Sequence, residues 1–128
     1  MTAQRARLAG IVAAVLGALA VACGAFGAHA LRARVDADAL AVWGTAVDYQ
    51  FWHALALCVA ALRMPHGGAA AMLAAIAFGA GCLLFCGSLY ALALGAPRVL
   101  GMVTPFGGVA FIIGWIALAW SWRERAPT

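Results

Sequence analysis

The sequence predicts an all-α fold, a four-helix transmembrane bundle, and three observations lead there. Hydrophobic residues make up 67% of the 128-residue chain and charged residues 9%, whereas soluble domains carry about half and about a quarter. Mean hydropathy is +1.02, and so short a chain cannot hide that much apolar surface from water. The apolar residues also gather into runs near the roughly 20 residues that a spanning helix needs. The solvent of this fold is therefore lipid, and residues 1–128 read as a single integral membrane domain.

The first run, predicted as a helix over 8–28, follows Arg5 and Arg7. Its Ala20-Val21-Ala22-Cys23 loosely resembles a signal or lipoprotein cleavage site. No leucine stands three places before the cysteine, however, and the apolar run continues, so an uncleaved helix is expected. The second helix, over 39–63, is free of charge only from Tyr49 to Leu62. Asp36 suits its N-cap, and Asp38 complements the helix dipole. As helix, Asp36 to Arg63 would measure about 42 Å, longer than a hydrocarbon core of about 30 Å. An interfacial helical segment is therefore expected before the spanning part, with a bend near Gly44. Met64-Pro65-His66-Gly67-Gly68 reads as a tight break, with His66 a solvated turn residue. The third helix, over 69–95, ends at Gly95-Ala96-Pro97. The fourth, over 104–122, opens with Thr104-Pro105, where a first turn tolerates proline.

Charge sets the expected topology. Eight arginines and no lysine face Asp36, Asp38, Asp48 and Glu124, for a net charge of +4. With four crossings, one side holds Arg5, Arg7, Arg63, Arg123 and Arg125, and the other Arg32, Arg34 and Arg98. By the positive-inside rule both termini are cytoplasmic. Trp115, Trp120 and Trp122 suit an aromatic belt at that end of the fourth helix. No basic cluster is interleaved with aromatics, which excludes nucleic acid as a partner class. Cys23, Cys58, Cys82 and Cys86 all lie in apolar runs and read as packing residues; the one-turn spacing of Cys82 and Cys86 is too small a donor set for a metal.

Small residues provide the expected helix contacts. Gly10, Gly17 and Gly24 recur every seven residues, with Gly27 close by, and form a stripe on the first helix. Gly79 and Gly87, then Gly107, Gly108 and Gly114, offer the same on the third and fourth. In lipid, close backbone approach takes over much of the part that burial plays in water.

The most informative pattern is Thr45-Ala46-Val47-Asp48-Tyr49-Gln50-Phe51-Trp52-His53. Thr45, Tyr49, Gln50 and His53 share one helical face, with Asp48 just outside it. Polar groups in hydrocarbon are costly and need partners. His29, ending the first helix beside the start of the second, is the expected one. Tyr90 lies at similar depth, so His29, Asp48, Tyr49, Gln50, His53 and Tyr90 form the candidate cluster. Three readings compete: a polar clamp between helices, a small-ligand or proton site, and haem held by His29 and His53 as axial ligands. The first needs no cofactor. No serine nucleophile arrangement, phosphate loop or paired carboxylate is present, so the balance is against an enzyme. Four helices without an obvious broken helix or repeat also give a transporter little to work with.

These motifs resemble a known family. Gly24-Ala25-Phe26-Gly27-Ala28-His29-Ala30-Leu31, Trp43 with Thr45-Ala46, Tyr49-Gln50 and His53-Ala54-Leu55 look like the signature of the small bacterial YgdD/YwdK-like membrane proteins. Leu84-Phe85-Cys86-Gly87-Ser88-Leu89-Tyr90, Thr104-Pro105-Phe106-Gly107-Gly108 and Gly114-Trp115 extend the resemblance to nearly the whole chain. The family pattern usually has serine where Cys86 stands, so no thiol chemistry follows there. The resemblance implies an integral membrane protein of about four helices in a bacterial inner membrane and supplies no activity. An accessory or scaffold subunit, packing on a second copy or a larger complex through its glycine faces, is the expected alternative to a ligand site.

Overall fold

A computed structural model describes residues 1–123; Glu124 and Arg125, used in the charge tally, lie outside the described residues. Residues 1–123 are mainly helical, and no strand occurs among them. The elements are α1 (Thr2–His29), a 3₁₀ turn (Leu31–Ala33), α2 (Ala37–Gly81), a π turn (Cys82–Cys86), α3 (Gly87–Ala93), a second 3₁₀ turn (Arg98–Met102) and α4 (Thr104–Ser121). Three helices are long and apolar enough to cross a membrane: Thr2–Ala33, Ala37–Ala93 and Arg98–Ser121, counted with their flanking turns. Four separate ones were expected. The difference lies at Met64–Gly68, where the backbone stays helical past Pro65 and departs from helix only at Gly68.

The middle helix is nevertheless not straight. Its single non-helical residue, Gly68, has φ 50° and ψ −141°. There the chain doubles back, giving a first arm (37–67) and a second (69–93). Gln50 and Tyr90, 40 residues apart, hydrogen-bond at 2.7 Å; along a straight helix they would be about 60 Å apart. Glycine is required at the reversal because positive φ with that ψ is closed to side chains. Gly68→Ala is expected to cost about 1–3 kcal/mol, read as a lower midpoint of reversible unfolding in mixed micelles.

Other boundaries follow local chemistry. The amide of Ala39 donates to Asp36 Oδ1 at 2.8 Å, the N-cap expected of that aspartate. From there the first arm stays regular through Gly44, so the expected bend is absent. The second arm ends in a Schellman turn: Gly95 has φ 96°, Ala96 N–H reaches Ala91 O at 2.9 Å, and Gly95 N–H reaches Leu92 O at 3.1 Å. The apolar residues before Thr104 form the second 3₁₀ turn rather than an earlier start to α4.

The core is built from small residues. Ala46, Ala60, Ala71 and Ala74 are fully buried, with Phe78, Cys82, Cys86 and Phe111 between them. Leu8, Ile11, Leu62, Leu83, Ile112 and Ile116 point outward. This inversion of bulk is how helices pack where the surroundings are as apolar as the side chains.

Glycines mark the tightest approaches. A Cβ on Gly27 would meet the Trp43 ring at 2.7 Å, one on Gly114 the Phe78 ring at 2.6 Å, and one on Gly107 the backbone of Phe85. Gly24 has ordinary room, with Val47 at 3.4 Å, and Gly108 touches only the Phe85 ring, at 3.9 Å. Gly10, Gly17, Gly79 and Gly87 have nothing within 4 Å, so these four do not pack helices within the chain. Gly67, wedged against Ser121, and Gly81, against the Phe111 ring, are close approaches that the spacing pattern missed.

Candidate functional site: a polar ladder inside the bundle

The first arm of α2 carries the polar side chains, and the inward-facing ones reach across to its neighbours. Trp43 Nε1 donates to Cys23 O on α1 at 2.8 Å. Two turns further, Gln50 Nε2 donates to Leu16 O on α1 at 2.8 Å, while its Oε1 accepts from Tyr90 on the second arm. A turn below, His53 Nε2 accepts from Trp115 Nε1 of α4 at 3.2 Å. Gln50 and His53 are both buried. Side chains 43, 50 and 53 thus tie the first arm to all three neighbours.

The partners define the state of His53. Because an indole N–H only donates, Nε2 must be unprotonated. The proton therefore sits on Nδ1, which lies 2.7 Å from Tyr49 O and donates to it. Both ring nitrogens are used by a neutral imidazole. Its face is covered as well: the Phe111 ring stacks on it with centroids 3.5 Å apart and planes at 13°. Tyr49 stacks on Phe85 at 4.5 Å, continuing an aromatic wall between α2 and α4.

A π turn lies beside this wall. Gly87 N–H bonds to Cys82 O, five residues back. Ser88 Oγ donates to Phe85 O at 3.0 Å and lies 2.6 Å from Thr104 Oγ1. As Ser88 has one hydroxyl proton, Thr104 donates to Ser88 in that arrangement. The short relay ties the π turn to the first residue of α4.

The expected cluster is therefore only partly assembled. Tyr49, Gln50, His53 and Tyr90 come together, joined by Trp43 and Trp115. His29 does not join them: it is exposed at the end of α1. The contact of Gly24 with Val47 fixes the antiparallel register of α1 and α2. His29 then lies about 11 residues, roughly 16 Å, along the bundle axis from His53. The two histidines do not face each other as axial ligands. Asp48 is also outside, exposed in a groove bordered by Gly24, Trp43, Gly44 and Val47. Among the described residues it makes no hydrogen bond or ion pair. No three histidine, cysteine or acidic side chains gather among the described residues, and Cys82 and Cys86 are core packing.

Trp115, expected in the interfacial belt, is about half exposed and also turns its indole N–H inward to His53. Trp120 and Trp122 do sit at the arginine-rich end, where Arg123 lies 5.3 Å over the Trp120 ring and Arg63 lies 4.6 Å over Trp122. Arg63 also donates to Ser121 O, at the end of α4, at 2.8 Å, where a cation complements the helix dipole.

Long apolar helices, a small-residue core and an internally spent polar face define an integral membrane protein of the small helical kind. Its family is equally plain. The family described as "Protein of unknown function (DUF423)" matches residues 23–108. The UPF0382 membrane protein YwdK of Bacillus subtilis is 43% identical over 111 residues, covering 84% of this chain and 89% of the relative. UPF0382 membrane proteins of Staphylococcus aureus and Haemophilus influenzae are 44% and 43% identical over 108 and 107 residues, covering 81% and 84% of this chain and 88% and 86% of their own. The chain belongs to this family of membrane proteins. No solved structure matches it.

Proposed function

We propose that the chain is a four-pass, non-enzymatic bundle of a bacterial inner membrane, acting as an accessory subunit that docks on another membrane helix. The doubled-back α2 supplies two crossings, because each arm is as long as a hydrocarbon core is thick. The arginines at one end, Arg5, Arg7, Arg63 and Arg123, favour cytoplasmic termini and a cytoplasmic turn at Gly68. The interior needs no cofactor for its stability: Gln50, His53, Trp43 and Tyr90 clamp the helices, each bond contributing roughly 0.6–2 kcal/mol.

One observation carries the docking role. Asp48 turns its carboxylate outward, below the end of α1, while its inward neighbours spend their polar atoms inside. An ionisable group placed so is costly unless something answers it, and the small residues beside it allow close approach. The partner is a helix presenting an arginine, lysine or hydroxyl donor, on a second copy or on another protein.

The test compares Asp48→Asn, Asp48→Leu and wild type for thermal stability in detergent and for the complex recovered by cross-linking in native membranes. The expected result is unchanged stability with a weakened or lost cross-linked complex. Equal cross-linking in all three, or a monomer destabilised by Asp48→Leu, would overturn the reading. Reporter fusions at His66 and Ala96 check the crossings: opposite sides are expected.

A further inference from the structure

We infer that the chain holds an anionic membrane phospholipid in a groove between α1 and the two arms of α2. The groove has a volume of about 590 Å³ and runs from Arg5 to Val12 on α1, from Leu57 to Met64 on the first arm, and from Met72 to Gly79 on the second. Each wall is eight residues long, about 10 Å of helix from first to last, so three helices line the groove over a similar length. Gly79, lining it on the second arm, has nothing within 4 Å of its missing Cβ.

The ends of the groove differ in chemistry. Arg5 stands at the mouth, exposed, and makes no ion pair among the described residues. It precedes the apolar run that begins at Leu8, so its guanidinium sits at headgroup depth, where a fork of N–H donors matches a phosphate. Below it the walls are almost wholly aliphatic. Met64 and Met72 line opposite sides, and their unbranched thioethers adapt to a chain of irregular conformation. A charged head above a narrow apolar slot fits a phospholipid, with the first part of one acyl chain between the helices. Inorganic phosphate would gain nothing from the slot, and a zwitterionic lipid, whose own ammonium offsets its phosphate, would gain less from Arg5 than an anionic one. Basic pockets between helices near the cytoplasmic surface are the usual form of such sites.

The experiment is native mass spectrometry of the full chain released from detergent micelles containing equal dioleoylphosphatidylglycerol and dioleoylphosphatidylcholine. Wild type is expected to retain one phosphatidylglycerol in preference to phosphatidylcholine. Arg5→Gln should weaken that lipid about fivefold, the value of one cation near a charged surface, and phosphatidylcholine by less, so that the preference for phosphatidylglycerol is lost. Gly79→Leu, which extends into open space, should abolish retention of both while the protein stays folded. Equal retention of the two lipids by wild type, or undiminished retention by Gly79→Leu, would overturn the inference. So would a change of oligomeric mass in Gly79→Leu, since a protein would then be the occupant.

Discussion

Replacing Gly107 by alanine is expected to be the most damaging single-methyl change in the molecule. The added carbon would fall on the backbone of Phe85, 2.7 Å from its Cα, and a backbone inside a π turn cannot swing aside as a flexible side chain does. α4 would have to move outward as a unit. That movement would loosen the 3.5 Å stack of His53 on Phe111 and the Trp115 hydrogen bond. Overpacking of this kind costs about 1–3 kcal/mol, occasionally more, and the upper end is expected here because several α4 contacts are disturbed together. Reversible unfolding in mixed micelles reads it directly. Gly87→Ala is the control: it adds the same methyl where nothing lies within 4 Å, and should leave stability unchanged. If the two variants unfold alike, the close approach of α4 to the π turn is wrong.

Gln50→Leu is expected to have the next largest effect, near 2–3 kcal/mol. Leucine keeps the bulk but removes two hydrogen bonds at once, to Leu16 O and from Tyr90. Each contributes roughly 0.6–2 kcal/mol between helices in lipid. The Tyr90 hydroxyl would then be left facing hydrocarbon, a further penalty. A double-mutant cycle isolates that share: Gln50→Leu with Tyr90→Phe should destabilise by less than the sum of the single changes. Strict additivity would mean that the two side chains do not interact, and the ladder would lose its central rung.

The sequence carried the helical character and the membrane setting because both depend on composition and run length, which packing does not alter. It also carried Tyr49, Gln50, His53 and Tyr90, since helical spacing puts the first three on one face and matched depth brings in the fourth. His29 misled for the opposite reason. Nearness in connectivity was taken for nearness in space, whereas the register of α1 on α2 carries it one way along the axis and His53 the other. Trp115 and Trp43 were illegible as hydrogen-bond donors because an indole reads alike at an interface and in a core. The glycine stripe failed at Gly10 and Gly17, since spacing gives a face but not what stands opposite it. Within the expected break at Met64–Gly68 it is Gly68, with its positive φ, that turns the chain, while the helix carries on past Pro65.

The widened turn at Cys82–Cys86 imposes a constraint that its side chains do not advertise. Leu83 and Leu84 are exposed to the surroundings, and substituting either with another aliphatic residue should pass unnoticed. Chain length there is another matter. One residue more or less between Phe78 and Tyr90 would restore or exaggerate the helical pitch and rotate everything downstream by about 100°. The phenol would swing away from Gln50, and Ser88 from Thr104. At Leu83 and Leu84 evolution is thus free to change the letters, but not to change their number.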